Sequence, residues 1–185
     1  MAQVILLNGG SSAGKTSIAD CLQELLLTPW LRFSIDDLVD ALPPSLLTGG
    51  QGIEFAADGA VRPGAEFQRL EAAWMQGIAA MAHAGANIII DDVFLSGVVA
   101  RDRWRTALTG VSVLWVGVRC DPAIAAQRES ARADRVVGMA AAQAQMVHVG
   151  MRYDLEVDTT ETSPRDCAER IAARVADSSA RVRSL

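Results

Sequence analysis

Cysteine is scarce in this chain of 185 residues: Cys21, Cys120 and Cys167 lie far apart and form no C-x-x-C pair. That spacing excludes a disulfide framework and a thiolate zinc site, and it points to a reducing compartment. Positive charge is in deficit as well, with 17 Lys and Arg against 22 Asp and Glu and a net charge of −5. Such a balance repels a nucleic-acid backbone at long range, so no nucleic-acid partner is expected and any phosphate must be met by local groups. No apolar run reaches bilayer-spanning length, and the first strand pattern starts too close to Met1 to leave room for a cleavable leader. No membrane contact is expected, and the cytoplasm is the expected location. His83 and His148 are isolated, without metal-ligand partners at useful spacing, and both read as structural. Internal repeats are absent, and the only biased segments are Ala-rich helices.

What is present is enough apolar residue, 50% of the chain, to cover a sheet on both faces within one domain. That domain is expected over residues 1–176, with residues 177–185 as a fraying polar tail. The chain remains compatible with a homo-oligomer. Strand signals fall at Val4 to Asn8, Leu31 to Ile35, Asn87 to Asp91, Val111 to Val118 and Tyr153 to Val157. Helical patterns lie between most of them, near Lys15 to Leu27, Asp36 to Ala41, Gly64 to Ala84, Val98 to Leu108, Pro122 to Ala131, Met139 to His148 and Pro164 to Ala176. This alternation predicts a parallel sheet covered by helices on both faces. The runs Ile88-Ile89-Ile90 and Val113 to Val116 are apolar without alternation, as central strands beside the first strand should be. Pro43 to Pro63 reads as a long loop, a length that is often functional.

The densest signal is Gly9-Gly10-Ser11-Ser12-Ala13-Gly14-Lys15-Thr16, placed between a strand pattern and a helix pattern. The spacing fits G-x-x-x-x-G-K-[ST], a turn whose backbone N–H groups cradle the phosphates of ATP or GTP. Gly9 and Gly14 allow unusual backbone angles and close approach. Lys15 supplies an ammonium to the β and γ phosphates, Thr16 a hydroxyl to Mg²⁺, and the following helix its positive end.

Three further groups fall where the strand ends should meet that loop. Asp36, at the end of the second strand pattern, is either a base for a phosphoryl-accepting hydroxyl or an N-cap of the next helix, with Asp37 the fallback base. Asp91 and Asp92 end an apolar strand as a Mg²⁺-holding acid does; spacing does not separate them, and Asp91 is favoured for the metal, with Asp92 capping or touching substrate. Arg128, Arg132 and Arg135 share one side of a continuing helix, as a phosphate-covering set or as a solvated face. Phe33, Phe55 and Phe94 lie near active-edge loops and are candidates for an apolar acceptor pocket, although core packing is the default for such side chains.

The ordered wording of these segments resembles the chloramphenicol phosphotransferase family. It runs through Ile5 to Lys15, Pro29-Trp30-Leu31, Gly52-Ile53-Glu54-Phe55, Ile88 to Leu95, Leu114 to Asp121, Asp134-Arg135-Val136 and Tyr153 to Thr160. The resemblance implies an α/β, three-layer P-loop fold of the nucleoside-monophosphate-kinase kind, with a five-stranded parallel sheet. It further implies ATP-dependent phosphorylation of the primary hydroxyl of chloramphenicol with Mg²⁺. Asp36 then matches the general base, residues Gly9 to Thr16 the ATP loop, and Arg132 and Arg135 the lid arginines. Thr16 stands where serine is expected and keeps the metal-directed hydroxyl.

Overall fold

The structure is a computed structural model, describing residues 2–47, 50–56, 60–131 and 138–183. In chain order the elements are β1 (Val4–Asn8), α1 (Lys15–Leu25), β2 (Leu31–Ser34), α2 (Ile35–Asp40), a 3-10 turn (Pro44–Leu46), β3 (Ile53–Phe55), β4 (Val61–Pro63), α3 (Ala65–His83), β5 (Ile88–Asp92), α4 (Val98–Ala107), β6 (Val113–Arg119), α5 (Pro122–Ser130), α6 (Met139–Met146), β7 (Leu155–Asp158) and α7 (Pro164–Arg183). Five strands make one parallel sheet in the order β2-β5-β1-β6-β7, as the alternation of patterns predicts. β1 lies at the centre, flanked by the two strands with uninterrupted apolar runs.

The pleat divides each central strand between two cores, because successive side chains point to opposite faces. Ile5, Leu7 and Ile89 join Ile18 and Leu22 of α1 and Ile171 of α7 on one face. Val4, Leu6, Ile88 and Ile90 join Met75 and Ile78 of α3 and Trp104 of α4 on the other. Each such fully buried aliphatic side chain contributes roughly 1.5–3 kcal/mol of transfer free energy, which ties the strand ends into a rigid edge.

A third, smaller cluster of Leu38, Leu42, Ile53 and Phe67 sits beyond the sheet and organises α2, the β3–β4 hairpin and the start of α3. This corrects the reading of Pro43 to Pro63 as a plain loop: it contains the 3-10 turn and an antiparallel hairpin pairing Ile53 with Pro63 and Phe55 with Val61. Strands of three residues are too short to display an alternation, so their pairing is decided by the cluster beneath them. At the other end of the chain, α7 continues through Arg183, past Ala176, where the polar sequence suggested a fraying tail.

Candidate active site

A cleft of about 1010 Å³ opens at the C-terminal edge of the sheet, lined at one end by Ser11, Ser12, Lys15 and Thr16 and elsewhere by Asp36 and Asp91. This is the edge to which a parallel sheet delivers its strand ends. A second hollow, of about 850 Å³ over the ends of β6 and β7, is lined by Arg119, Asp121, His148 and Thr160 and contains no phosphate-loop residue.

The loop from Gly9 to Gly14 turns sharply between β1 and α1. Gly14 caps α1 at φ 84° with no side-chain cap, so first-turn N–H groups are left for a ligand to satisfy. Ser12 also lies in the left-handed region, at φ 56°. Such a conformation in a non-glycine residue costs on the order of 1–3 kcal/mol and is characteristic of ligand-holding turns. The Ser11 and Ser12 hydroxyl oxygens are buried and make no hydrogen bond among the described residues. Gly9 is required for a different reason from the one sequence suggests: a Cβ there would stand 2.6 Å from the Val118 carbonyl oxygen, so it is β6 that demands glycine. Gly10 and Ala13 complete the turn, and the Ala13 carbonyl accepts the Thr159 hydroxyl at 2.8 Å.

Lys15 is 7% exposed, its Nζ donating to the Gly10 carbonyl at 2.9 Å and standing 3.6 Å from Asp91 Oδ1. Thr16 Oγ1 donates to Asp91 Oδ2 at 2.7 Å. The structure therefore brings the ammonium, the hydroxyl and one strand-end carboxylate to a single point. It also separates the two acids that spacing could not. Asp91 faces α1, whereas Asp92, one residue on in the pleat, faces α4, where its carboxylate accepts Trp104 Nε1–H at 2.6 Å and the Val93 N–H at 2.7 Å. Burial pushes the Asp92 carboxyl up to about 6, against the pull of those two hydrogen bonds and with help from the Glu71 and Asp91 charges. Asp92 still lines the cleft.

Asp36 is not the N-cap. Ser34 caps α2, its side chain accepting the Asp36 N–H at 3.2 Å, while Asp37 Oδ2 accepts the Ser34 N–H at 2.7 Å to close a capping box. Asp37 is thereby engaged in the cap and exposed, and Asp36 is left half-buried on the cleft wall.

The remaining candidates divide. Arg128 lies in the last turn of α5, which stops at Ser130, and its guanidinium holds Thr159 by Oγ1 at 3.1 Å and by the carbonyl at 2.6 Å. Through Thr159 it braces the phosphate loop, and it also lines the cleft. Arg132 and Arg135 lie outside the described residues, as does the side chain of Phe55. Phe94 is corrected: it is fully buried against Trp115 and forms core, not pocket wall. Phe33 packs, half-buried, on the same core and is not among the cleft-lining residues. Among the described residues no group of three or more His, Cys, Asp or Glu is placed to hold a metal.

Sequence reading missed the polar network beneath the loop. Asn8 Nδ2 donates to the Val147 carbonyl at 2.9 Å and to the Tyr153 hydroxyl at 2.7 Å, and Asn8 Oδ1 accepts the Phe94 N–H at 2.9 Å. Tyr153 in turn meets His148 Nδ1 at 2.7 Å. Burial drives the His148 imidazole down to about 4, and the Arg119 charge adds to the effect. Gln143 of α6 accepts the Ser11 N–H at 2.8 Å. A buried amide on an Ala-rich helix was the available signal for Gln143. Nothing in the sequence pairs Arg103 of α4 with Glu71 of α3, which meet at 2.7 Å on the cleft wall.

Known proteins align with this arrangement. Residues 2–176 match the family described as "Chloramphenicol phosphotransferase-like protein". A Mycobacterium tuberculosis protein named "Putative O-phosphotransferase" is 35% identical across 91% of this chain and 80% of its own. The fold is shared with a sugar kinase from Janibacter sp. HTCC2649, at TM-score 0.67, 18% identity and 94% coverage of both chains. It is shared too with the Mycobacterium tuberculosis APS kinase, solved with AMPPNP and APS, at TM-score 0.62 and 14% identity over 95% of this chain and 98% of that one. A sheet of order 2-5-1-6-7, a phosphate loop closing on a strand-end acid, and a family match over nearly the whole chain lead to one conclusion: the protein belongs to the chloramphenicol phosphotransferase-like family and is a P-loop phosphotransferase.

Proposed function

We propose that the protein transfers the γ-phosphate of ATP to a hydroxyl of a small acceptor, and that the acceptor is the primary hydroxyl of chloramphenicol or of a close analogue. The observation that carries this reading is the shared cleft: Lys15, Thr16 and Asp91 knit together at one end, with Asp36 on the wall beside them. The orphan N–H groups of the loop and of α1 hold the phosphate oxygens, and Lys15 follows the charge toward the β–γ bridge. A hydroxyl and a carboxylate oxygen are hard donors of the kind that suits Mg²⁺. Thr16 and Asp91 would hold the cation, which when bound would supply charge neutralisation on the phosphate oxygens. Asp36 accepts the proton of the acceptor hydroxyl as its oxygen bonds to the γ-phosphorus and the bond to the β-phosphate oxygen breaks, leaving ADP and a phosphate ester. Arg128 steadies the loop from the side of Thr159, and Arg132 and Arg135 are assigned to the transferring phosphoryl group.

The acceptor wall supports an amphiphilic molecule. Ile35, Val39, Ile53, Val61, Phe67 and Met75 line it together with the polar Asp36, Asp40, Glu71 and Arg103, a surface suited to an apolar body that carries hydroxyls. The test is a screen of Mg-ATP with chloramphenicol, nucleosides and sugars, read by product mass. Chloramphenicol plus one phosphate is expected; transfer only to nucleosides or sugars replaces the acceptor, and hydrolysis at full rate without any acceptor removes the kinase reading. Because Lys15 is the sole lysine of the chain, an amine-acylating ATP analogue should label the protein at that single position.

A further inference from the structure

Charge on the acceptor side of the cleft is arranged in a way that the transfer chemistry does not require. Apart from Lys15, Asp91 and Arg128, which belong to the phosphate end, the described charged residues lining the cleft are the acidic Asp36, Asp40, Glu71 and Asp92 and the basic Arg103. Arg103 is 34% exposed and Glu71 19%, so the pair faces the cleft interior while staying partly screened from bulk water. A guanidinium in such a cleft is an anion receptor, since its fork matches carboxylate or phosphate oxygens in a bidentate fashion. Here Glu71 Oε2 accepts from Arg103 Nη1 at 2.7 Å, and the pair bridges α3 and α4. The Glu71 charge is also felt at Asp92. An acceptor bearing a carboxylate or phosphate would have to break this pair and approach three further acids, while a neutral acceptor meets a pair whose charges already cancel.

We propose that Glu71 is a specificity-determining residue: by occupying Arg103 it restricts the acceptors to alcohols without an anionic group. The inference deepens the phosphotransfer reading and rests on it. It makes Arg103 a masked anion site, exposed by removal of one carboxylate.

The experiment uses two aryl acylamino-propanediols that differ only in a ring nitro or a ring carboxylate, groups alike in shape and unlike in charge. In the wild type, kcat/KM for the nitro compound should exceed that for the carboxylate compound by about a hundredfold, the scale of a juxtaposed like charge. Glu71→Gln keeps a hydrogen bond for Arg103 but removes the negative charge, and should shrink that ratio about tenfold or more. Adding Arg103→Met to Glu71→Gln should restore most of it. Each ratio is taken within one variant, so a loss of folded protein cancels. Equal use of both compounds by the wild type, or a ratio unmoved by Glu71→Gln, overturns the proposal. Equilibrium dialysis of both compounds without nucleotide separates the two readings. Charge-selective binding with no transfer to either compound sinks the phosphotransfer reading and supports the Glu71 assignment, whereas binding of neither compound overturns both.

Discussion

The two ends of the cleft are built on opposite plans. The phosphate end comes from one contiguous stretch, Gly9 to Thr16, closed by a single strand-end acid, and its Ser11, Lys15 and Asp91 are each 7% exposed or less. The end proposed to take the acceptor is assembled from α2, the β3–β4 hairpin, α3 and α4, over a small core of its own. Polyphosphate is the same ligand in every such enzyme and can be gripped by backbone amides, which any sequence with the right turn supplies. An acceptor is individual, and recognising it takes side chains from several elements, where a few changes shift preference by a few kcal/mol.

Four measurements would break or sharpen this contrast. The largest effect is expected from Asp36→Asn, which should lower kcat by about 10³ to 10⁴ while nucleotide affinity stays near the wild-type value, because the change removes the proposed proton acceptor and leaves the phosphate loop unaltered. If nucleotide binding fell in parallel, the two ends would not be separable and Asp36 would not be the base. Lys15→Ala belongs to the other end, and a loss of about 10² to 10³ in kcat together with weakened nucleotide binding should be seen by calorimetry and kinetics.

Next comes the network beneath the phosphate loop. His148 is held neutral by burial, so the folded chain resists protonation down to about 4, whereas the unfolded chain takes a proton near the ordinary 6.5. Protons thus bind preferentially to the unfolded state between those values, and stability present above pH 6.5 should fall by up to about 3 kcal/mol as the pH drops to 4. Urea melts across this window should show a shallower decline for His148→Asn, and an unchanged slope would remove the assignment. The smallest effect is expected at the acceptor end: Ser34→Ala opens the capping box of α2 and should cost about 1 kcal/mol. Activity should then fall more than nucleotide affinity, since α2 carries Asp36. An equal fall in both would mean that the cap supports the phosphate end as well.

Much of the phosphate end was legible in order along the chain, because the loop motif, the buried runs and the strand-end acids are local patterns with local causes. Arg128 was legible as a residue of that end, yet its bonds to Thr159 were not, since they join groups distant in sequence. The same limit hid Asn8 with Tyr153 and Arg103 with Glu71. Phe94 shows the opposite limit: it follows β5 close to the active edge in sequence, yet its side chain is buried against Trp115 in the core, the default for such a residue and not the pocket role also considered for it.

By itself the chain of residues determined a parallel sheet, its central strands and a turn able to hold phosphate, because hydrophobic period and glycine-permitted backbone angles act over a few residues. Only the tertiary structure decided that Asp91 meets Thr16 and Lys15 while Asp92 meets Trp104, that Ser34 rather than Asp36 caps α2, and which apolar side chains line the cleft. Those choices depend on which face of a pleat or helix meets which neighbour. Packing among elements remote in sequence settles that, and no local pattern records it.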